Sequence, residues 1–352
     1  MNPFKRPYAS SAAAGLTLML LASGVIVGQS TAAGTKSYRG SAGGSHFQMR
    51  LDFQGANASG TYAYDTVGEE IKVAGARDAQ NGLELTEFVK KKPTGKFHCK
   101  PAVDDPTDWE CTSSRADGSR EVFATLAEQH VDLTNGLKIA AKTIFDRRIG
   151  LGVSYPQLAS SGNALAPGAA GFNQRMLSLV RKAIKDFEPG DEPRRNSFDT
   201  NYRVLLATND TISVEMTEYS DSGGAHPNSR YWSLTYDLAA NKELPLESIF
   251  KPDSDYKMAI ANYVVSDIDR RADAFEAESA KLENRKPKSR DESITSVDQL
   301  SEISDWGLTP QGVVVYLDFP HVMAVFDKNF IPYAAIKDYL KPNTPASQFN
   351  RP

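Results

Sequence analysis

Between residues 36 and 128 the apolar side chains fall at every second position, in short runs that stop at turn-forming residues. Phe47, Met49, Leu51 and Phe53 alternate with polar neighbours until Gly55-Ala56-Asn57 interrupts them. Tyr62 and Tyr64 resume the pattern before Gly68, and Ile71 and Val73 carry it to Gly75. Asn81-Gly82 is a hairpin signal ahead of Leu83, Leu85 and Glu87. Phe97, Trp109 and Val122-Phe123 complete the series. A period of two puts the apolar groups of a run on one face of a strand, and on no face of a helix. Short strands at this even spacing predict an all-β domain over 36–128, an antiparallel meander that curls into a barrel or a sandwich.

Cys99 and Cys111 are the chain's two cysteines and both lie inside that meander. In an oxidising compartment two nearby cysteines form a disulfide, here clipping one hairpin. The small loop so closed is worth about 2–3 kcal/mol. A metal site would need histidine partners; His98 is adjacent, no second histidine is near, and no metal is expected.

The start of the chain supports the oxidising compartment. Lys5 and Arg6 precede an uncharged apolar run from Ala12 to Val27, and small residues follow at Ser30, Thr31, Ala32 and Ala33. That is the layout of a secretory signal over 1–33, cleaved near Ala32 or Ala33. An uncleaved anchor is the alternative, since the run is near the lower limit for a membrane span. No later segment is apolar enough to cross a bilayer. Cleavage leaves roughly 320 residues, enough for two domains with cores. The expected location is the periplasm or the outside of the cell. The net charge of -4 and the absence of a basic stripe exclude nucleic acid as a partner.

Residues 129–144 read as a linker, 145–342 as a second domain and 343–352 as a tail. Ile149, Leu151 and Val153 alternate up to Tyr155-Pro156. Phe172, Met176, Leu179, Val180, Ala183 and Phe187 recur at helical spacing, ended by Glu188-Pro189-Gly190. Arg203–Ala207 and Ile212–Met216 flank a turn at Thr208-Asn209-Asp210. Trp232, Leu234, Tyr236 and Leu238 alternate again, and Ile260, Tyr263, Val264 and Ile268 mark a second helix. The charged stretch 282–294 reads as a solvated loop. A hairpin around Pro310-Gln311 and a short helix from Tyr333 to Leu340 follow. Helices and hairpins in separate blocks predict α+β, an antiparallel sheet with helices on one face.

Chemistry has one conspicuous candidate, the loop Ser222-Gly223-Gly224-Ala225-His226-Pro227-Asn228. Paired glycines admit positive φ and a close backbone approach. Histidine titrates near neutral pH, and proline with asparagine closes the turn. Asp221, Gly223, Gly224, His226 and Asn228 are the candidate binding residues. His226 has three readings: a structural imidazole bonded to carbonyls, a partner contact, or a general base. Glu215 and Glu218 on a predicted strand and Asp221 in the loop admit a carboxylate role, against a plain solvent-facing one. No G-x-S-x-G, P-loop, dinucleotide fingerprint or H-E-x-x-H occurs, so no catalytic set and no cofactor is assigned.

The order of elements also carries a resemblance. Tyr219-Ser220-Asp221-Ser222-Gly223-Gly224-Ala225-His226-Pro227-Asn228 leads into an aromatic strand. Asn241-Lys242-Glu243-Leu244-Pro245-Leu246, Ile249-Phe250 and Leu308-Thr309-Pro310-Gln311-Gly312-Val313-Val314 come after it. Val153-Ser154-Tyr155-Pro156 and Phe172-Asn173 precede it. Over about 145–342 this resembles the extracytoplasmic domain of RsiV-type anti-sigma factors, also found beside the catalytic domain of PdaC-type peptidoglycan deacetylases. The resemblance implies an envelope protein, more a binding module than an enzyme. Its partner would be peptidoglycan or a lysozyme-like, peptidoglycan-cleaving enzyme, bound as inhibitor or sensor. The alternative is a cell-envelope hydrolase using His226 with a nearby carboxylate.

Overall fold

The computed structural model describes residues 34–78, 82–102, 107–160, 162, 164–190, 196–224, 226–290, 292–300, 303 and 305–349. The expected secretory signal, Asn81 of the expected hairpin and Ala225 of the glycine loop lie outside the described residues.

The alternating segment closes into a barrel. Its strands are β1 (Gly34–Ala42), β2 (Ser45–Gln54), β3 (Asn57–Tyr64), β4 (Ile71–Arg77), β5 (Leu83–Val89), β6 (Lys92–Pro101), β7 (Trp109–Arg115) and β8 (Val122–Gln129). Each pairs antiparallel with the next, and β8 returns to β1 with Ala127 opposite Arg39, so no edge is left open. The inward positions are those the period of two selects: Phe47, Met49, Leu51 and Phe53 on β2, Leu83 and Leu85 on β5, Phe97 on β6. The rings of Phe47, Tyr62 and Phe97 meet at centroid distances of 5.2–6.0 Å, the range of favourable aromatic pairs. Cys99 and Cys111 face each other across β6 and β7 and are bonded.

A six-stranded sheet follows. It contains β9 (Leu137–Asp146), β10 (Leu151–Ser160), β11 (Asn196–Ala207), β12 (Thr211–Ser222), β13 (Asn228–Asp237) and β14 (Lys242–Glu243), in the order β14-β13-β12-β11-β10-β9. Residues 137–144, expected within a linker, thus belong to a sheet strand; apart from the exposed Phe145 its apolar positions are only half-buried, which weakens the alternation. The sheet is mixed rather than antiparallel. Helix α1 (Pro167–Asp186) carries the chain across, so β11 runs parallel to β10, with Leu151 opposite Phe198. The buried side chains of α1 (Phe172, Met176, Val180 and Ala183) cover one face, against Val153, Val204, Val214 and Leu234.

The other face is covered too, so helices do not occupy one face alone. A second sheet, β15 (Asp305–Leu308), β16 (Gly312–Tyr316) and β17 (Lys328–Pro332), lies there. The 27-residue helix α2 (Tyr256–Leu282) packs Ile260, Val264 and Ile268 into a shared core with Val313, Val315 and Ile331. Two short helices, α3 (Tyr333–Ile336) and α4 (Pro345–Phe349), complete it. The two sheets approach so closely at Gly307 that a Cβ there would sit 2.2 Å from the Leu205 side chain. Ser213 Oγ accepts the Leu308 amide (2.8 Å), and Trp306 O accepts the Ser233 hydroxyl (2.7 Å).

Barrel and sheet are joined by polar chemistry. Leaving β8, residues 130–132 run along the second half of β11; the Ala207 amide donates to His130 O and the Asp132 amide to Ala207 O, both at 2.8 Å. Beside this, Arg39 and Asp65 form a bidentate pair (2.7 and 2.5 Å) with side chains 1% and 4% exposed. Asn201 accepts from Arg39 Nε, Ser154 donates to Asp65, and the guanidinium lies 4.2 Å over the Tyr202 ring. Desolvating both charges is costly, and these surrounding bonds offset it. Among the described residues no helix is long and apolar enough to cross a membrane.

Candidate functional site

The glycine-histidine loop is the corner between β12 and β13. Asp221, at the end of β12, accepts the Gly223 amide at 2.8 Å, an Asx turn that sets the corner. Gly223 takes φ +79°, a left-handed conformation that favours glycine. At Gly224 an added Cβ would meet nothing within 4 Å. Asn228 opens β13 opposite Ser220. His226 is exposed, and its ring meets that of His321 edge-on, with centroids 5.3 Å apart. The two histidines come from elements 95 positions apart, and no spacing in the sequence announces the pair. Cys99 and Cys111 belong to the barrel hairpin and are not part of this corner.

His321 begins a two-turn segment, His321–Phe326, with 3₁₀ geometry. At three residues per turn, positions i and i+3 lie one above the other. His321, Ala324 and the following Asp327 accordingly line a trough of about 740 Å³ beneath the loop, closed by Phe187, Tyr219 and Phe319. Phe326 turns inward beneath Arg271. Val322 and Val325 make the third row and are 91% and 72% exposed.

The trough continues along β13 into a cavity of about 380 Å³, sharing Asp186, Arg230 and Asp318 with it. At Tyr236 and Asp237 the edge of β13 has β14 beside it; nearer its start the cavity lies alongside. Arg230 forks onto Glu218 at 2.8 and 3.0 Å, and Lys182 holds Asp186 at 2.5 Å. The ammonium bonded to Asp186 keeps that carboxyl below its ordinary range. Asp305 behaves oppositely: burial pushes its carboxyl up, opposed by the Ser233 amide that it accepts at 3.3 Å. Tyr231 stacks on Tyr316, whose hydroxyl donates to Glu215. Glu215 also takes Lys328 at 3.1 Å.

Trp232, Arg230 and Asp305 are therefore the residues that sequence reasoning left out of the site, whereas Glu218 was already a candidate carboxylate. Trp232 reads as an ordinary strand aromatic, and Asp305 reaches it from a strand some 70 positions later. Chemically the place offers paired charges, an indole and a half-buried carboxylate. Among the described residues no group of three or more metal-ligating side chains comes together.

No family model matches the chain. It is similar to the peptidoglycan-N-acetylmuramic acid deacetylase PdaC of Bacillus subtilis (strain 168), at 23% identity over 117 residues. That stretch is 33% of this chain and 25% of the deacetylase, so the likeness spans a quarter of that relative's length. Among solved structures, a DUF3298 family member from Bacteroides fragilis matches with a TM-score of 0.39 at 15% identity. The match covers 62% of this chain and 98% of that one. A DUF3298 family protein from Pseudomonas aeruginosa PAO1 matches with a TM-score of 0.36 at 17% identity, over 59% and 94% of the two chains.

Proposed function

We propose that the chain is an exported, non-enzymatic protein of the cell envelope that binds peptidoglycan through the trough below the Gly223–His226 corner. The observation that carries this is the partial likeness to a peptidoglycan deacetylase. The trough supports it with a concave, mixed aromatic and polar wall, the character of a ligand site. Export follows from residues 1–33, removed near Ala32 or Ala33; N-terminal sequencing of the secreted product checks it. The test of function is co-sedimentation of the mature protein with purified sacculi. Retention that falls on His226→Ala and Arg230→Ala supports the reading. A protein that stays in the supernatant overturns it.

One observation favours a protein partner instead. The exposed Val322 and Val325 form an apolar rim beside the trough, where a peptidoglycan-cleaving enzyme of the lysozyme type would seat. Calorimetry with lysozyme separates the two readings. Heat of binding that is lost in Val322→Asp selects the enzyme partner, whereas binding to sacculi with no lysozyme heat selects the wall.

A further inference from the structure

The cavity at the inner end of the trough is lined by a tryptophan whose indole donor has no acceptor. Trp232 Nε1 is buried and has no hydrogen-bond partner. An indole N–H is a donor only, and burying one unpaired is costly. In the lining of the same cavity Asp305 uses its carboxylate to take the Ser233 amide, and a carboxylate has lone pairs to spare. Leu179 and Ala183 from α1 and Leu317 supply an apolar wall. Lys182 and Arg230 are already matched by Asp186 and Glu218, while Asp305 and Asp318 remain, so the site does not favour an anion.

A donor, an acceptor and an apolar wall together complement a neutral group with a carbonyl, an N–H and a methyl. We propose that this cavity is a subsite for the acetamido group of an N-acetylated amino sugar. The acetyl carbonyl accepts from Trp232 Nε1, the amide N–H donates to Asp305, and the methyl packs on Leu179 and Ala183. The Tyr231 ring, held flat against Tyr316 at 5.7 Å, stands beside the sugar. The cavity's size suits a single sugar unit of a longer chain. This subsite rests on the peptidoglycan reading and names the group it recognises.

The test titrates the mature protein with the N-acetylglucosamine trimer, its deacetylated counterpart and an N-acetylated peptide, following heat and tryptophan fluorescence. The expected result is binding of the acetylated trimer alone. Trp232→Phe keeps a ring and removes the N–H, and should weaken binding about tenfold, the value of one hydrogen bond, with an unchanged thermal midpoint. Asp305→Ala should weaken it independently. Equal binding of the deacetylated trimer, full binding by Trp232→Phe, or binding of the peptide alone overturns the proposal. Sacculi retained by a protein that ignores the trimer would sink this subsite and leave wall binding standing; loss of both removes the broader reading as well.

Discussion

Single residues set the hardest constraints. Arg39 is 1% exposed and, among the described residues, Asp65 is the carboxylate bonded to it. Removing one member leaves the other buried and unpaired, which costs about 3–5 kcal/mol. Asp65→Asn is accordingly expected to lower unfolding free energy by that amount in urea titrations, and Arg39→Met with Asp65→Leu together by much less. The β5–β6 turn holds the opposite opportunity. Lys90 and Lys91 both adopt positive φ, 48° and 67°, where Asn-Gly is the favoured pair. Replacing them by Asn-Gly should raise stability by about 1 kcal/mol in the same titration. Neither feature is legible in the sequence. Arg39 and Asp65 look like surface charges until the barrel meets the sheet, and the lysines look like a solvated run.

At the scale of elements, the strands of the barrel were the most legible part. Their alternation is a direct image of burial, because one face is core and the other is solvent. β10 and β11 were harder, since a sheet covered on both faces buries successive residues and blurs the period. β17 was missed for a related reason: Lys328, Asn329 and Phe330 present no alternation, and Asn329 is buried by its bonds to Phe326 O and Arg271. The charged stretch after α2 reads as free loop but is strapped down. Arg285 pairs with Glu276, whose carboxyl it holds down to about 2, and Arg290 reaches Asp269 and Asp273. Glu276→Gln is expected to speed tryptic cleavage at Arg285 and Lys288 without shifting the thermal midpoint of the rest. The Cys99–Cys111 bond ties β6 to β7, and the double alanine variant should lose about 2–3 kcal/mol, read as a lower urea midpoint.

On the scale of the whole molecule, the cores are rich in buried phenols. Burial raises the pKa of Tyr38, Tyr62, Tyr202, Tyr316 and Tyr333 above the ordinary 10.0. A group raised in the folded state keeps its stabilising effect below the unfolded pKa and loses it as pH climbs beyond. Stability should therefore hold up to about pH 10 and fall steeply above it, with the tyrosinate absorbance of these five side chains appearing together with unfolding rather than before it. Ionisation of all the tyrosines before unfolding would contradict this burial.

The division between sequence and tertiary structure follows from the range of the forces involved. Alternation, turn residues and helical spacing are local, so the chain alone determined an all-β segment over 36–128, a mixed helix-and-strand segment after it and a corner at Gly223-Gly224 between two strands. The corner's φ and its Asx bond are also local, set by residues two apart. What only the tertiary structure decided lies between distant positions: barrel closure by β8 on β1, the parallel pairing of β10 with β11, the buried Arg39–Asp65 joint. The site belongs to that second class. His226 meets His321, and Trp232 shares a cavity with Asp305, because two sheets are pressed face to face; no local pattern encodes which side chains that pressing brings together.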